Sequence, residues 1–232
     1  MTPLPRILPL AAAASVLALA ACQPKAPAAD APKTEAAAAP AAPQAPSDAA
    51  AGEYAMDLAH TSLNFRLSHM GLSNYTARFT KLDGKLGFDP ANPADQTVSA
   101  TIDAGSLQTN YPDAKTLDFD ALLEKEFLDA AKFPTITFKS TKVEPTGPRT
   151  AKVTGDLTLH GETHPVTLEA TFNGGYKPNG MDPMGARVGF SAKGTFKRSD
   201  FGIKYGLPAP GTTMGVGDDV EVAIESEFTR KP

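Results

Sequence analysis

Residues 153–172 read VTGDLTLHGETHPVTLEATF, and this stretch indicates the fold most directly. Apolar and polar side chains alternate along both of its halves, and the pair His160-Gly161 separates them. A period of two places the apolar side chains of a strand on one face, so each half is predicted to be a half-buried β-strand. The inward rows are Val153, Leu157 and Leu159 in the first strand, and Val166, Leu168, Ala170 and Phe172 in the second.

The same alternation recurs along the chain and predicts at least eight strands. Turn-forming pairs such as Asp89-Pro90 and Gly174-Gly175 lie between most of them. Many alternating strands joined by turns are typical of an antiparallel barrel or sandwich. The further rows of apolar residues on one parity are Leu63/Phe65/Leu67, Leu82/Leu86/Phe88, Val98/Ala100/Ile102/Ala104, Ile136/Phe138, Val188/Phe190/Ala192/Phe196 and Val220/Val222/Ile224.

One stretch, residues 119–127, departs from the period of two. Leu122, Leu123 and Phe127 follow a helical spacing there, so a short helix is predicted. Asp118 or Asp120 can cap its first turn, because a carboxylate accepts hydrogen bonds from the free backbone N–H groups.

Small residues on the inward parities leave the barrel interior open to two interpretations. A solid barrel would need these spaces filled, whereas a ligand-binding barrel would leave them as a cavity. Small residues also mark twisted or bulged positions in strands. The sequence supports both interpretations equally for Ala100, Gly155, Ala170, Ala192 and Gly194.

The N-terminus has the features of an export signal. Arg6 precedes an apolar run, which is too short for a spanning helix and ends in Leu19-Ala20-Ala21-Cys22. This ending resembles the lipobox of bacterial lipoproteins, which implies a signal peptide over 1–21 and lipidation of Cys22. The alternative is an ordinary secretory signal that leaves the only cysteine of the chain as a free thiol.

Lipidation would place the protein in the cell envelope. Two or more acyl chains anchor a protein stably to a membrane, so the partner of the N-terminus would be a bilayer. Gln23 follows the cysteine, and the absence of Asp at that position resembles the pattern of outer-membrane lipoproteins. The expected location is therefore the periplasm, at the outer membrane.

Composition divides the rest of the chain into a linker and one domain. Residues 22–52 are rich in Ala and Pro, which predicts a disordered linker behind the lipidated cysteine. Residues 53–232 are predicted to form a single domain, because about 180 residues are enough to bury a hydrophobic core. Three of the 22 Lys+Arg and three of the 26 Asp+Glu precede residue 53, which leaves 19 and 23. This mildly acidic, mixed surface argues against a nucleic-acid partner.

Few residues suggest catalysis or metal binding. His160 and His164 straddle a turn and lack a cluster of Cys or carboxylate ligands, so no metal site is expected. No nucleophile elbow, phosphate-binding loop or dinucleotide fingerprint occurs. His69 lies on the inward parity, where we favour a hydrogen-bonded core histidine over a polar group at a pocket mouth. Arg198 is expected to pair with Asp200, and the alternative is binding of a head group.

Several segments together resemble the YceI-like family of periplasmic, lipocalin-like proteins. The resemblance covers 54–228 in the same order throughout. It implies an eight-stranded antiparallel barrel with an elongated apolar pocket for isoprenoid-type or other long-chain amphiphiles, with no cofactor and no established catalysis. The segments that carry it are Tyr54-Ala55-Met56-Asp57, Phe65-Arg66-Leu67-Ser68-His69, Gly84-Lys85-Leu86-Gly87-Phe88-Asp89, Phe133-Pro134-Thr135-Ile136-Thr137-Phe138, Gly155-Asp156-Leu157-Thr158-Leu159-His160-Gly161, Lys197-Arg198-Ser199-Asp200-Phe201-Gly202 and Gly217-Asp218-Asp219-Val220.

The resulting hypothesis is an envelope lipoprotein that stores or transports an isoprenoid, quinone or fatty-acid type lipid. The sequence leaves open a role in the stress response and the oligomeric state, monomer or dimer. The alternatives are a lipid-modifying enzyme that uses pocket histidines, and a solid-cored interaction module. The expected polar rim is His69, Arg198 and Asp200. The expected apolar lining is Phe65, Leu67, Phe79, Phe88, Ile102, Leu123, Phe127, Phe138, Leu159, Leu168, Phe172, Phe190, Phe196 and Ile224.

Overall fold

The computed structural model describes residues 47–183 and 185–231. One α-helix, α1 (Phe119–Glu126), accompanies eleven strand segments, and a few short 3-10 turns connect them. No helix among these residues has the length and apolarity that crossing a membrane requires. The strand segments are β1 (Gly52–Met56), β2 (Ser62–His69), β3 (Ser73–Phe79), β4 (Leu82–Phe88), β5 (Thr97–Asp103), β6 (Leu107–Gln108), β7 (Thr135–Pro145), β8 (Thr150–Leu159), β9 (Glu162–Tyr176), β10 (Ala186–Lys197) and β11 (Asp219–Arg230).

The strand segments close into an eight-stranded antiparallel barrel. β1 and β2 both pair with β11, on either side of the 3-10 turn Leu58–His60, so they are two halves of one strand. The pairs β3/β4 and β5/β6 are divided in the same way, at 80–81 and at Ala104–Ser106. Three divided strands reduce the eleven segments to eight, and the β1–β11 pairing closes the ring. The predicted barrel with one short helix is confirmed.

The barrel has two different ends. The helix end contains the β2–β3 loop, residues 109–134 with α1, the β8–β9 turn and residues 198–218. The opposite end, which we term the base, contains the β4–β5, β7–β8 and β9–β10 loops and the end of β11. Ser47 pairs with Gly175 at the end of β9, so the chain enters the described fold at the base.

The stretch that first indicated the fold forms the β8–β9 hairpin. Val153 lies opposite Leu168 and Gly155 opposite Val166, so the two predicted inward rows face the same side. His160 and Gly161 have φ angles of 53° and 82°. Two consecutive left-handed residues give the tight turn whose twist matches that of the flanking strands.

The helix begins and ends where the sequence indicates. Asp118 is its N-cap, and its carboxylate accepts a hydrogen bond from the Ala121 N–H at 3.0 Å. Phe127 is the C-cap residue, one position beyond the last helical residue. The cap satisfies one of the free N–H groups of the first turn, which fixes the start of an otherwise short helix.

Some of the small inward residues make room for neighbouring protein atoms, and others border a cavity. A Cβ on Gly155 would lie 2.5 Å from the Phe138 ring and 2.6 Å from the Lys139 carbonyl oxygen, beside the bulge of β7. A Cβ on Gly194 would lie 2.7 Å from the Leu168 side chain. Both glycines therefore accommodate protein neighbours. The inward alanines face the cavity described below: Ala100, Ala170 and Ala192.

The N-terminal residues of the described chain pack against the base. Ala49 is buried, and the Tyr54 hydroxyl donates to the Ala50 carbonyl oxygen at 2.7 Å. The composition of 22–52 predicted a linker, but Ser47 to Ala51 contact the barrel through backbone groups and a methyl group, which composition does not reveal. The predicted signal peptide and Cys22 lie outside the described residues.

Candidate ligand cavity

A continuous cavity of about 830 Å³ runs through the barrel from the helix end towards the base. Its volume lies in the range of roughly 300–1,000 Å³ that is typical of ligand pockets. The solid-cored alternative is therefore wrong, since the inward side chains leave this space between them. All fourteen side chains expected to form the lining border it: Phe65, Leu67, Phe79, Phe88, Ile102, Leu123, Phe127, Phe138, Leu159, Leu168, Phe172, Phe190, Phe196 and Ile224.

The wall is apolar because every strand of the barrel contributes its inward row. Aromatic rings contact each other in pairs, with centroid distances of 5.5 Å for Phe65 and Phe79 and 5.3 Å for Phe172 and Phe190. Phe88 lies 5.6 Å from Phe172, which extends the second pair towards the base. Such contacts fix the rings and leave their faces and edges as a hydrocarbon-like surface.

The cover of the helix end adds residues that alternation could not identify. Leu123 of α1 and its C-cap residue Phe127 face the cavity, as expected, and the Tyr205 ring packs on Phe127 at 5.2 Å. Tyr111 also borders the cavity and packs on Phe119 at 5.1 Å. Both tyrosines lie in irregular segments, where neither a period of two nor a helical period marks the inward residues.

Arg198 borders the cavity but is held by the backbone. Its side chain is buried, with 2% of the residue exposed, and four of its five N–H donors bind carbonyl oxygens. Burial lowers the pKa of the guanidinium, an effect that the nearby Asp218 carboxylate opposes. The acceptors are Gly217 at 2.8 Å, Ile203 at 2.9 Å, Tyr205 at 2.8 Å and Val216 at 2.8 Å.

The expected pairing of Arg198 with Asp200 is wrong. Asp200 is exposed on the short 3-10 helix Arg198–Phe201, and it is not among the described residues that border the cavity. The segment turns away from strand geometry directly after Lys197, so the two residues no longer share one face. A buried guanidinium needs acceptors, and the carbonyls of the returning chain supply them instead of a carboxylate.

The histidines have different surroundings. His69 is exposed and borders the cavity at the helix end, so the favoured core-histidine interpretation is wrong and its position fits the pocket mouth. His160 Nδ1 lies 3.1 Å from the Phe201 carbonyl oxygen, and the His164 ring packs on the Phe201 ring at 5.1 Å. Among the four histidines, all of which the structure describes, His69 alone borders the cavity.

An ion cluster that the sequence did not indicate lies on the outer wall near the base. Arg187 donates to Asp57, to Asp182 and, at 3.1 Å, to Glu227. The hydrogen bond from Arg187, followed by that from His60, lowers the pKa of Asp57 to about 2. Ligand atoms of Asp57, His60 and Glu227 lie within 4.8 Å of one another, but both carboxylates already form ion pairs with Arg187. The cluster therefore acts as an ionic clamp between distant strands.

Comparisons with known proteins agree with this architecture. Residues 54–228 match the family model of the YceI-like domain. A UPF0312 protein of Vibrio cholerae is 36% identical over 189 residues, which cover 80% of this chain and 92% of that protein. The crystal structure of Burkholderia cenocepacia BcnA has a TM-score of 0.60 and 27% identity, covering 74% of this chain and 98% of that chain. A polyisoprenoid binding domain from Saccharophagus degradans shares the fold, with a TM-score of 0.54 and 14% identity over 79% of this chain and 100% of that chain.

Proposed function

Because this chain belongs to the YceI-like family, we propose that its barrel binds a long-chain amphiphile whose hydrocarbon tail occupies the cavity. The observation that carries the proposal is the cavity itself, about 830 Å³ of space bordered by apolar side chains from all eight strands. An apolar cavity of this size favours an elongated hydrocarbon, since water gains few hydrogen bonds from such walls.

The polar groups near the cavity support a ligand with a small head group. Thr61 Oγ1 is buried in the wall, and among the described residues it is the buried side-chain nitrogen or oxygen that lacks a hydrogen-bond partner. A ligand hydroxyl or carbonyl can satisfy it. His69 offers a second contact at the mouth. Arg198 does not need a head group, because four carbonyls already accept its hydrogen bonds.

The ligand class that we propose is isoprenoid. The Saccharophagus degradans domain of the same fold is a polyisoprenoid binding domain. Moving a tail from bilayer to water would cost about 0.8 kcal/mol per CH₂ group, whereas moving it from bilayer into an apolar barrel is nearly neutral. The barrel would then act as a carrier or store that exchanges its ligand with a membrane.

We further propose that the chain works in the cell envelope, at a membrane to which Cys22 is lipidated. The predicted signal peptide over 1–21 and the Ala- and Pro-rich composition of the predicted linker over 22–52 support this location. An anchored binding domain stays at a high effective concentration beside the bilayer from which it would take its ligand. This function requires neither a cofactor nor a catalytic group.

The test is native mass spectrometry of the purified chain, followed by lipid extraction and titration with an isoprenoid quinone. We expect a bound amphiphile and uptake of the quinone. Ala192→Trp places an indole in the cavity and should weaken quinone binding at least about tenfold, which corresponds to about 1.4 kcal/mol. Ala223→Trp is the matched control, because Ala223 is exposed on the outer face of the neighbouring strand.

Two results would contradict the proposal. One is a purified chain that carries no amphiphile and takes up no quinone. The other is equal quinone affinity for Ala192→Trp and Ala223→Trp, which would place the quinone outside the barrel. Loss of binding in both variants, with altered circular dichroism, would indicate damage to the fold, and Ala192→Leu then replaces Ala192→Trp.

A further inference from the structure

Exposed apolar side chains are concentrated at one end of the barrel. Nine large apolar residues of the described chain are exposed, and Leu58 and Met181 are the two that lie away from the helix end. The other seven have 38% to 85% of their surface exposed, and we term them the apolar rim. The apolar rim consists of Met70, Leu72, Tyr111, Leu117, Leu122, Tyr205 and Met214.

The segments that carry the apolar rim contact one another around the cavity mouth. The Met70 N–H donates to the Gly215 carbonyl oxygen at 2.7 Å, which joins the β2–β3 loop to residues 198–218. The ring contact between Tyr205 and Phe127 joins that segment to the C-cap residue of α1. Phe119 at the start of α1 contacts Tyr111 and also Tyr75 of β3, which connects α1 to that strand.

The summed exposed area of the apolar rim is large compared with single apolar patches on free surfaces. With roughly 150–250 Å² for a whole large side chain, the exposed fractions of the apolar rim amount to roughly 550–900 Å². The largest apolar patch on a typical monomer is about 300–600 Å² and is often functional. Two members, Tyr111 and Tyr205, are of the residue type that is enriched at the boundary between lipid and water.

We propose that the apolar rim is a membrane-docking surface, which inserts into the outer layer of a phospholipid bilayer and opens the cavity towards the lipid. The proposal rests on the proposed function, since a barrel that binds a hydrocarbon tail must receive it without exposing it to water. The apolar rim surrounds the cavity at the helix end, where this transfer can occur in an apolar environment. The cavity also reaches the β4–β5 and β7–β8 loops at the base, where Pro93 and Pro148 border it, but among the described residues no comparable set of exposed large apolar side chains surrounds that end. In the described part of the β9–β10 loop at the base, by contrast, Met181 is the one large apolar residue that is exposed.

The charges at the helix end indicate which kind of bilayer fits. Residues 109–134 contain six Asp or Glu and three Lys, and residues 198–218 contain two of each sign. The net charge around the apolar rim is therefore about −3, which gives no attraction to anionic lipid. Docking would depend on apolar insertion into a zwitterionic surface, as for interfacial segments whose binding follows buried apolar area.

The linker is long enough for this orientation. Twenty-four residues lie between Cys22 and Ser47, and a flexible linker of that length, as composition predicts, would span about 25–30 Å on average. A strand of 12 residues such as β10, tilted by about 40°, gives a barrel height of roughly 30 Å. A chain anchored at Cys22 and entering at the base can therefore place the helix end on the same membrane.

The absence of tryptophan from the chain provides a direct test. Leu72→Trp puts a single fluorophore on the apolar rim, and Met181→Trp puts one at the base, where Met181 is 98% exposed. Each full-length chain is reconstituted in phosphatidylcholine vesicles in which part of the lipid carries brominated acyl chains that quench tryptophan. We expect at least threefold stronger quenching for Leu72→Trp than for Met181→Trp, with no increase when phosphatidylglycerol is added.

Equal quenching at the two positions, or quenching at Met181→Trp alone, would overturn the proposal. Blue-shifted emission of Leu72→Trp in buffer without vesicles, with a dimer in sedimentation velocity, would also overturn it, because a second copy would then cover the apolar rim. Neither result depends on the ligand of the barrel.

A second arm separates docking from ligand binding. Leu72→Asp combined with Met214→Asp changes two apolar-rim residues that do not border the cavity among the described residues. We expect retinol, a fluorescent isoprenoid alcohol, to transfer from vesicles to this variant at least about tenfold more slowly, with unchanged equilibrium binding in solution. Met181→Asp is the control and should transfer at the original rate. Unchanged transfer in the double variant would refute docking, whereas absence of retinol binding in every chain would refute the proposed function alone.

Discussion

Arg198 should contribute more to stability than any other single polar side chain of the helix end. The guanidinium donates to the carbonyls of Ile203, Tyr205, Val216 and Gly217. It therefore connects residues 203–205 with residues 216–217, two distant parts of the irregular segment 198–218. Arg198→Met removes all four bonds and leaves buried acceptors behind. Each unsatisfied acceptor costs about 1–3 kcal/mol, and removal of one partner from a buried charged network costs about 3–5 kcal/mol in total.

Arg198→Lys is the more informative change. It keeps the positive charge that a ligand head group would need, but an ammonium cannot reproduce the planar fork that reaches four carbonyls. We expect both variants to lower the free energy of unfolding by about 3–5 kcal/mol, which for a domain of this size corresponds to roughly 6–20 °C in Tm. Guanidinium chloride and thermal unfolding, followed by circular dichroism, measure the change.

The control is Asp200→Asn, which should stay within about 0.5 kcal/mol because Asp200 is exposed. The backbone role of Arg198 would be refuted if Arg198→Lys unfolded like the original chain and lost affinity for the quinone. That outcome would indicate that Arg198 binds the head group of a ligand, an interpretation against which its four carbonyl partners argue.

Three further predictions concern stability. Asp57→Asn should lower the free energy of unfolding by about 2 kcal/mol at pH 7, because Arg187 lowers the pKa of Asp57 from 3.8 to about 2. In urea titrations from pH 7 to 2, this destabilisation should persist above about pH 4 and vanish towards pH 2. Glu124→Gln should stabilise the chain at pH 7, because burial and neighbouring carboxylates raise the pKa of Glu124, and the gain should fade as the pH falls through that pKa. Gly155→Ala should cost about 1–3 kcal/mol in thermal unfolding, since the added methyl lies 2.6 Å from a backbone oxygen, whereas Gly180→Ala meets no atom within 4 Å and should be neutral.

The sequence predicted the barrel and its lining because both depend on one local rule. A strand with one buried face must alternate, so Phe65 and Leu67 could be placed inside without any knowledge of their partners. The capped helix followed from an equally local signal at Asp118. Whether the small inward residues opened a cavity could not be predicted, because Gly155 is filled by Phe138 of another strand while Ala192 is not.

The features that escaped prediction depend on contacts between distant or irregular segments. Arg198 binds backbone carbonyl oxygens, which every residue type possesses. No pattern of side chains in the sequence could therefore identify its acceptors. Arg187 meets Asp57 across 130 positions of sequence. Tyr205 lies in a segment without periodicity, although its ring both borders the cavity and belongs to the apolar rim. Such sites follow from the closure of the barrel, which places separate segments side by side.

The two ends of the barrel differ in how they are held, and under the docking proposal this difference favours ligand entry at the helix end. The base is fastened by the Arg187 clamp and by backbone pairing of Ser47 with Gly175. Residues 198–218 at the helix end run without a strand partner over most of their length, with Arg198 as their principal fixed point. A segment with few ladder hydrogen bonds opens at a lower free energy than a paired strand. Since the apolar rim surrounds this same end, a segment with few ladder hydrogen bonds would lie in the lipid under the docking proposal. Opening there would expose the cavity to hydrocarbon and not to water.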